Sequence, residues 1–251
     1  MQRLVWEPTG SKLIDLFNII LYEYESSPYL TPTIIYCYDA CCGWCYGFSP
    51  VIKKIADDWT DSLDFEVVSG GMIIEEKPKP ISLMAGYIQN AYKQVEELTG
   101  IKFGKDYLWH INHPDLSDWF PSSEKPAIAL CIFKEFYPAR QVEFATQLQY
   151  ALHYEGRDLC DDEAYRHLIE KYSIQPETFY DKLHSEEYKE KAYDEFALCK
   201  QLQVTGFPQV FLQVSESKLY LLAKGYTNFE TLNDRISNTI NELNIPGFKA
   251  S

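Results

Sequence analysis

Four of the seven cysteines fall within nine residues, at Cys37, Cys41, Cys42 and Cys45. Cys42-Gly43-Trp44-Cys45 is a C-x-x-C motif that follows a predicted strand and opens a predicted helix. Residues i and i+3 of a first helical turn share a face, close enough for an unstrained disulfide. The helix dipole and unpaired N–H groups stabilise a thiolate at the first cysteine. The motif therefore predicts an accessible, low-pKa thiol at Cys42 and a buried resolving thiol at Cys45.

Two other interpretations of these cysteines stay open. A zinc site would need two further Cys or His ligands, and Cys37 and Cys41 could supply them by number. Cys37 lies inside a predicted strand, however, and the chain has no second C-x-x-C and no H-x-H. We expect no metal, although an inert thiol pair is also compatible with the motif. His110 and His113 form an H-x-x-H in what reads as a polar loop, where exposed histidines are expected.

A second motif, Val204-Thr205-Gly206-Phe207-Pro208-Gln209-Val210, places a proline immediately before a predicted buried strand. Proline is tolerated at the first residue of a strand, so this could be a simple strand entry. An X–Pro bond at such a position can also be cis, which turns the chain sharply. Because the C-x-x-C ends the first strand of the same predicted core, we expect a cis Phe207–Pro208 bond.

The elements that must position these motifs follow from periodicity and punctuation. A helical pattern covers residues 11–25, and an exclusively helical block runs from the second strand to about residue 202. The other predicted elements are strands Thr33–Tyr38, Leu63–Val68, Gln209–Val214 and Lys218–Ala223, and helices from about Cys42 to Trp59 and Phe229–Leu243. This order predicts an α/β protein, a thioredoxin-like core with a large inserted all-helical domain. The predicted units are a helical extension at 1–30, the core at 31–74 and 203–251, and the insertion at 75–202.

Composition restricts the partners and the compartment. The 251 residues carry 37 acidic and 23 basic side chains, a net charge of −14. Nucleic acids and anionic membranes both require a basic surface, so we expect neither as a partner. No apolar run approaches about 20 residues, and the first 30 residues show no export signal. We therefore expect a cytoplasmic protein, whose seven cysteines do not form a disulfide framework.

Asp39-Ala40-Cys41-Cys42-Gly43-Trp44-Cys45-Tyr46-Gly47-Phe48 resembles the D-x-x-C-x-W-C-x-G-F stretch of DsbA-family thioredoxin-like proteins. It is most similar to the branch of predicted protein-disulfide isomerases near the FrnE-like oxidoreductases. Gly70-Gly71-Met72 and Gly206-Phe207-Pro208 also fit that branch, and the resemblance covers about residues 32–242. It implies that Cys42 is the nucleophile, that Cys45 resolves, and that the cis-proline Pro208 faces them. It also implies a substrate groove lined by four residues: Gly43, Trp44, Phe207 and Pro208.

The chain departs from the wider family pattern near the motif. Thioredoxin and DsbA keep a buried acid six residues before the nucleophile, where this chain has Tyr36. Deprotonation of Cys45 must therefore rely on another group. Asp39 matches the branch and is expected to be a loop or helix-cap residue rather than a catalytic one. Cys41 is expected to be a packed bystander beside the nucleophile.

Two function classes follow from these observations. The first is a thiol–disulfide oxidoreductase or isomerase that exchanges disulfides with protein or small-thiol substrates, with glutathione or another thiol as a co-substrate and no other cofactor. The alternative is a non-enzymatic DsbA-like adaptor that presents client proteins to a protease. The intact C-x-x-C and the facing proline favour the enzyme. The glutathione-dependent isomerase branch usually has Ser as the first motif residue, so Cys42 argues against it. The redox potential, and hence the direction of exchange, does not follow from the sequence.

Overall fold

The computed structural model describes residues 3–5, 31–74 and 79–243. The helical pattern at residues 11–25 therefore lies outside the described residues, as does nearly all of the predicted extension. Within 1–30, the described part is a short strand, β1 (Arg3–Val5), which the sequence did not predict. Among the described residues, no helix is both long and apolar enough to span a membrane.

A mixed sheet forms the centre of the molecule, with the strand order β1-β5-β4-β2-β3. Its remaining strands are β2 (Thr33–Tyr38), β3 (Asp64–Ser69), β4 (Gln209–Ser215) and β5 (Lys218–Lys224). Strands β2 and β3 are parallel, and the other neighbouring pairs are antiparallel. A parallel pair needs a crossover connection, which is supplied here by helix α1 (Gly43–Trp59). The predicted α/β class is confirmed.

Strand β2 separates two apolar layers because alternate side chains point to opposite faces of a sheet. Ile34, Tyr36 and Tyr38 belong to the main core together with the buried face of α1. Ile35 and Cys37 belong to a smaller cluster on the other face. The C-terminal end of β2 thus delivers the chain directly into the loop that precedes the C-x-x-C motif.

Seven α-helices connect β3 to β4 within the described residues, and together with their connecting loops they form the helical segment (residues 82–201). They are α2 (Ser82–Thr99), α3 (Lys105–Asn112), α4 (Glu124–Phe136), α5 (Gln141–His153), α6 (Glu163–Lys171), α7 (Pro176–Leu183) and α8 (Glu186–Gln201). Their apolar side chains join the same main core as β2 and α1. A final helix, α9 (Phe229–Glu242), follows the β4–β5 hairpin. The boundaries of the predicted inserted domain stay a prediction.

Helix α3 corrects one detail of the sequence analysis. His110 lies within this helix and His113 follows its last residue, so the H-x-x-H is not in a loop. The His110 ring stacks on Trp119 with centroids 3.9 Å apart, and its Nδ1 lies 2.8 Å from the Ser117 hydroxyl. Stacking on an aromatic neighbour stabilises this helical turn, although its residues are mostly polar.

An ion cluster ties the helical segment to the edge of the sheet. Lys134 of α4 lies 2.5 Å from Glu66 of β3 and 2.7 Å from Glu195 of α8, and it also donates to the Val67 carbonyl. The lysine side chain is only 15% exposed. Burial acts to lower the pKa of Lys134, but the two carboxylates outweigh it and raise that pKa. The lysine therefore remains charged, and its ion pairs join α4 to β3 and α8.

Replacing Lys134 should show how much the two carboxylates destabilise the fold when they have no cation beside them. Lys134→Met should lower the free energy of unfolding by about 3 kcal/mol, because removing this partner leaves two half-buried carboxylates without their cation. Denaturant unfolding measures the loss. The control Lys53→Met breaks an exposed pair with Asp57 and should cost less than about 0.5 kcal/mol; equal losses would contradict the prediction.

Candidate active site

Cys42 caps the N-terminus of α1 through its side chain. The Cys42 Sγ accepts a hydrogen bond from the Cys45 backbone N–H at 3.4 Å, and the Cys42 N–H donates to the Asp39 carbonyl at 3.1 Å. The residue has extended backbone angles, as an N-cap does. The helix therefore begins at Gly43, and the first cysteine lies where unpaired N–H groups converge. A backbone N–H of the first turn is thereby directed at the Cys42 sulfur.

The Cys42 thiol is more enclosed than the sequence predicted, and the Cys45 thiol is buried as predicted. Cys45 is fully buried, and Cys42 is 6% exposed rather than open to solvent. The Cys42 thiol faces the Phe207 carbonyl at 3.7 Å, and the Phe103 ring of the helical segment packs beside Gly43. The expected accessible thiol at Cys42 is thus corrected to a nearly buried one, because these two neighbours cover it.

The Cys45 thiol is held in its neutral form by its surroundings. Burial raises the pKa of Cys45 well above its ordinary value, and the hydrogen bond and charge of Cys42 act in the same direction. The Asp39 backbone N–H opposes them by bonding to the Cys45 sulfur. The two motif cysteines therefore differ in their surroundings: Cys42 lies at the start of α1, and Cys45 is fully buried one turn further on.

The loop before β4 lies directly opposite the motif. The Phe207–Pro208 peptide bond is cis, the isomer expected from the sequence. Phe207 packs against both apolar clusters, and its ring covers Gly70 so closely that a Cβ there would lie 1.9 Å from Cζ. Trp44 and Phe207 are half-buried, and Pro208 is buried. The structure therefore brings the predicted groove residues around Cys42, although two of them contribute to the core.

Asp39 is a buried connector rather than a helix cap. One carboxylate oxygen accepts from the Cys41 N–H at 2.9 Å and from the Ser123 hydroxyl at 2.9 Å, and the other accepts from the Met72 N–H at 2.7 Å. Its carbonyl also accepts from the Gln149 side chain at 3.3 Å. Burial raises the pKa of Asp39, while these N–H and O–H donors lower it. Asp39 lies in the loop after β2, which was one of the two positions expected for it, and the cap role belongs to Cys42.

Cys41 directly precedes Cys42 in the chain, but its thiol is hydrogen-bonded elsewhere. Its thiol is 3.6 Å from the Ser122 carbonyl, and burial raises its pKa well above the ordinary value. A protonated, hydrogen-bonded thiol of this kind fits the expected packed bystander. Among the residues that the structure describes, no group of three or more His, Cys, Asp or Glu side chains could hold a metal ion.

The sequence analysis missed the residues of the helical segment that support the motif loop. His153 is fully buried and stacks on Tyr46 of α1 with centroids 5.0 Å apart. Burial lowers the pKa of His153 to about 3, so the ring is neutral at physiological pH. The Gln149 side-chain amide donates a hydrogen bond to the Asp39 carbonyl, and the Ser123 hydroxyl donates one to the Asp39 carboxylate. No local pattern marks these residues, because each is distant in sequence from Cys42.

Comparison with known proteins now places the fold. Residues 33–237 match the DSBA-like thioredoxin domain, which is more than half of the chain. The chain belongs to the DSBA-like thioredoxin domain family. This is a family of thiol–disulfide oxidoreductases, and the predicted thioredoxin-like fold and enzyme class are confirmed. No curated protein matches the chain.

Solved structures of two other proteins are similar to this fold. A candidate protein disulfide isomerase from Nitrosomonas europaea has a TM-score of 0.75 and 22% identity, covering 85% of this chain and 99% of its own. The cytosolic disulfide reductase DsbM from Pseudomonas aeruginosa has a TM-score of 0.67 and 25% identity, covering 85% and 99%. DsbM has also been solved with glutathione, with a TM-score of 0.65 to this chain.

The contact between Gly70 and Phe207 gives a test of the proline loop. Gly70→Ala must displace the Phe207 ring, because the added Cβ would overlap it. Since this shift moves the carbonyl that faces Cys42, disulfide exchange should slow about ten- to a hundredfold. The matched control is Gly206→Ala, where a Cβ would meet no atom within 4 Å. Single-turnover reaction with a model disulfide measures both variants, and similar rates for the two would refute the prediction.

Asp39→Ala tests whether the hydrogen bonds of the buried Asp39 carboxylate stabilise the fold. The change leaves two N–H groups and one hydroxyl without their acceptor, which should cost about 2–4 kcal/mol of unfolding free energy. Asp58→Ala, in an exposed pair with Lys54 on α1, should cost less than about 0.5 kcal/mol. Denaturant titration compares the two variants. Equal stabilities would show that the interior hydrogen bonds of Asp39 do not hold the loop.

Proposed function

We propose that this family member exchanges disulfides through the Cys42–Cys45 pair, acting on protein or small-thiol substrates. One observation carries the proposal: the Cys42 sulfur caps α1 one turn from the buried Cys45 thiol and faces the residue before a cis-proline. Thiol–disulfide exchange needs a nucleophilic sulfur and a second thiol within reach. The motif has both.

Each half of the exchange uses a different cysteine. The Cys42 thiolate attacks a substrate disulfide, forming a mixed disulfide and releasing one substrate thiol. Cys45 then loses its proton and attacks the Cys42 sulfur, which forms the Cys42–Cys45 disulfide and releases the second substrate thiol. Two electrons pass from the cysteine pair to the substrate, and the reverse sequence oxidises a dithiol. The burial of Cys45 limits its attack to the neighbouring Cys42.

The surroundings of Cys42 support a role for the predicted groove. Trp44 and Phe207 are half-buried, so each leaves part of an aromatic surface beside the nucleophile. Apolar side chains beside a reactive sulfur suit extended or unfolded polypeptide. The glutathione-bound structure of DsbM supports a small thiol as an additional substrate or co-substrate. DsbM is described as cytosolic, which supports the cytoplasm as the compartment proposed here.

Trapping of a covalent intermediate tests this function. Cys45→Ser should accumulate partners attached through Cys42, because resolution by a nearby thiol is removed while attack remains. Adducts should rise at least about tenfold over the unchanged protein and should disappear when a reducing agent is added. Non-reducing electrophoresis of cell extracts, followed by mass spectrometry of the linked residue, measures them. Cys41→Ser, combined with Cys45→Ser, should leave the adducts in place.

The double variant Cys42→Ser, Cys45→Ser decides between enzyme and adaptor. For an exchange enzyme it should lose every thiol-sensitive adduct, because the attacking sulfur is gone. An adaptor that presents clients to a protease would instead retain its partners in all variants, and a reducing agent would not release them. Persistent partner binding with no Cys42-linked adduct would therefore overturn the proposal.

A further inference from the structure

The approach to Cys42 is enclosed on the side of the helical segment. Cys42 is 6% exposed, and the next two residues, Gly43 and Trp44, are half-buried. The Phe103 ring lies next to them, with its Cζ 3.5 Å from the point that a Cβ of Gly43 would occupy. Phe103 and Cys42 also belong to the same buried cluster. An aromatic ring from outside the motif therefore forms a wall beside Cys42.

Four other aromatic rings hold the Phe103 ring in place. Tyr46 of α1 lies edge-on to it, with centroids 5.1 Å apart. The remaining three rings come from the helical segment and lie 5.8 Å or less from it, centroid to centroid: Tyr92, Tyr107 and His153. Aromatic rings at such separations attract one another. Moving the Phe103 ring would break several of these contacts at once, so the ring is a rigid wall and not a mobile lid.

The backbone on both sides of Phe103 is also tied to its surroundings. The Lys102 carbonyl accepts a hydrogen bond from the Tyr46 hydroxyl at 2.9 Å. The Gly104 N–H donates to the His153 carbonyl at 2.9 Å. One of these bonds joins the loop to α1, which carries the motif, and the other joins it to α5. The ring therefore keeps its position relative to Cys42.

We propose that Phe103 limits the size of the disulfide that reaches Cys42, and so selects low-molecular-weight disulfides over disulfides held in folded proteins. This inference rests on the proposed function and narrows its substrate class. The Cys42 thiolate bonds to one substrate sulfur as the substrate S–S bond breaks, and the other sulfur leaves as a thiolate. Phe103 takes no part in these bond changes and acts through its bulk alone.

The size limit follows from the distance that the reaction requires. The attacking and attacked sulfurs must come within about 3–3.5 Å of each other in a fixed alignment. A small disulfide brings few atoms besides its two sulfurs. A folded protein surrounds its disulfide with backbone and side chains, which would meet the rigid Phe103 ring before the sulfurs meet.

Two probes that differ in bulk but release the same dye test this selection. One is the mixed disulfide of thionitrobenzoate with glutathione, and the other is the same mixed disulfide made on a cysteine of a folded protein. Dye release is measured with Cys45→Ser, so that only the first attack is observed, and the rate of Cys42→Ser, Cys45→Ser is subtracted. Each rate is then divided by that of free glutathione, an unenclosed thiol. The small probe should react at least about tenfold faster after this correction.

Phe103→Ala, added to Cys45→Ser, should relax the selection. The corrected rate with the protein probe should rise at least about fivefold, and that with the small probe should change less than about twofold, because only the larger probe meets the ring. The matched control is Phe179→Ala, which removes another buried ring of the helical segment. Its ring contacts are with Tyr165 and Tyr180, and it should leave the ratio of the two rates unchanged.

The outcomes distinguish this inference from the proposed function. If Cys42 reacts with neither probe, the proposed function itself is overturned. If it reacts with both at equal corrected rates, the size limit is overturned and the function stands. An unchanged ratio in Phe103→Ala, or an equal change in Phe179→Ala, would overturn the role of Phe103. If Phe103→Ala fails to fold, the smaller side chain of Phe103→Leu should shift the ratio at least about twofold in the same direction, and no shift would refute the role.

Discussion

A single buried carboxylate holds together the loop that carries the C-x-x-C motif. Asp39 follows the last residue of β2 and is 1% exposed. Its oxygens bind the N–H of Cys41 on one side and groups from Met72 and Ser123 on the other. A buried charge is tolerated only when hydrogen bonds replace its water, so these donors must stay in place. The exit of β3 and the start of α4 are thereby fixed against the loop that carries Cys42.

The second constraint is that the Cys42 sulfur also completes the helix. Cys42 satisfies the Cys45 N–H as the N-cap of α1, a position usually held by an oxygen. The sulfur is thus located by the helix backbone and not by a flexible side chain. The same geometry puts Cys45 one turn inside, against β2. The residue proposed to attack the substrate is thus also the residue that begins α1, and a substitution at Cys42 removes the cap of this helix.

The helical segment contributes to the site as well as covering the sheet. An aromatic group packs around the start of α1, and the ring of Phe103 contacts both Tyr46 and His153. Burial keeps His153 neutral, so no positive charge accumulates beside the motif from this side. Ser123 and Gln149 add hydrogen bonds to Asp39. Because these residues come from the start of α4, from α5 and from the loop after α2, the helical segment packs with the sheet and α1 around Cys42.

Local chemistry was sufficient for the parts of this protein that are encoded in short stretches. The i, i+3 spacing of Cys42 and Cys45, the proline before β4 and the alternation of strand and helix patterns together predicted the α/β fold and the cis Phe207–Pro208 bond. Only the tertiary structure decided how exposed Cys42 is, what Asp39 binds and which residues of the helical segment support the motif loop. Each of these depends on residues that the fold brings together from positions 39 to 207. Burial and hydrogen-bond partners are properties of that packing, and no spacing along the chain specifies them.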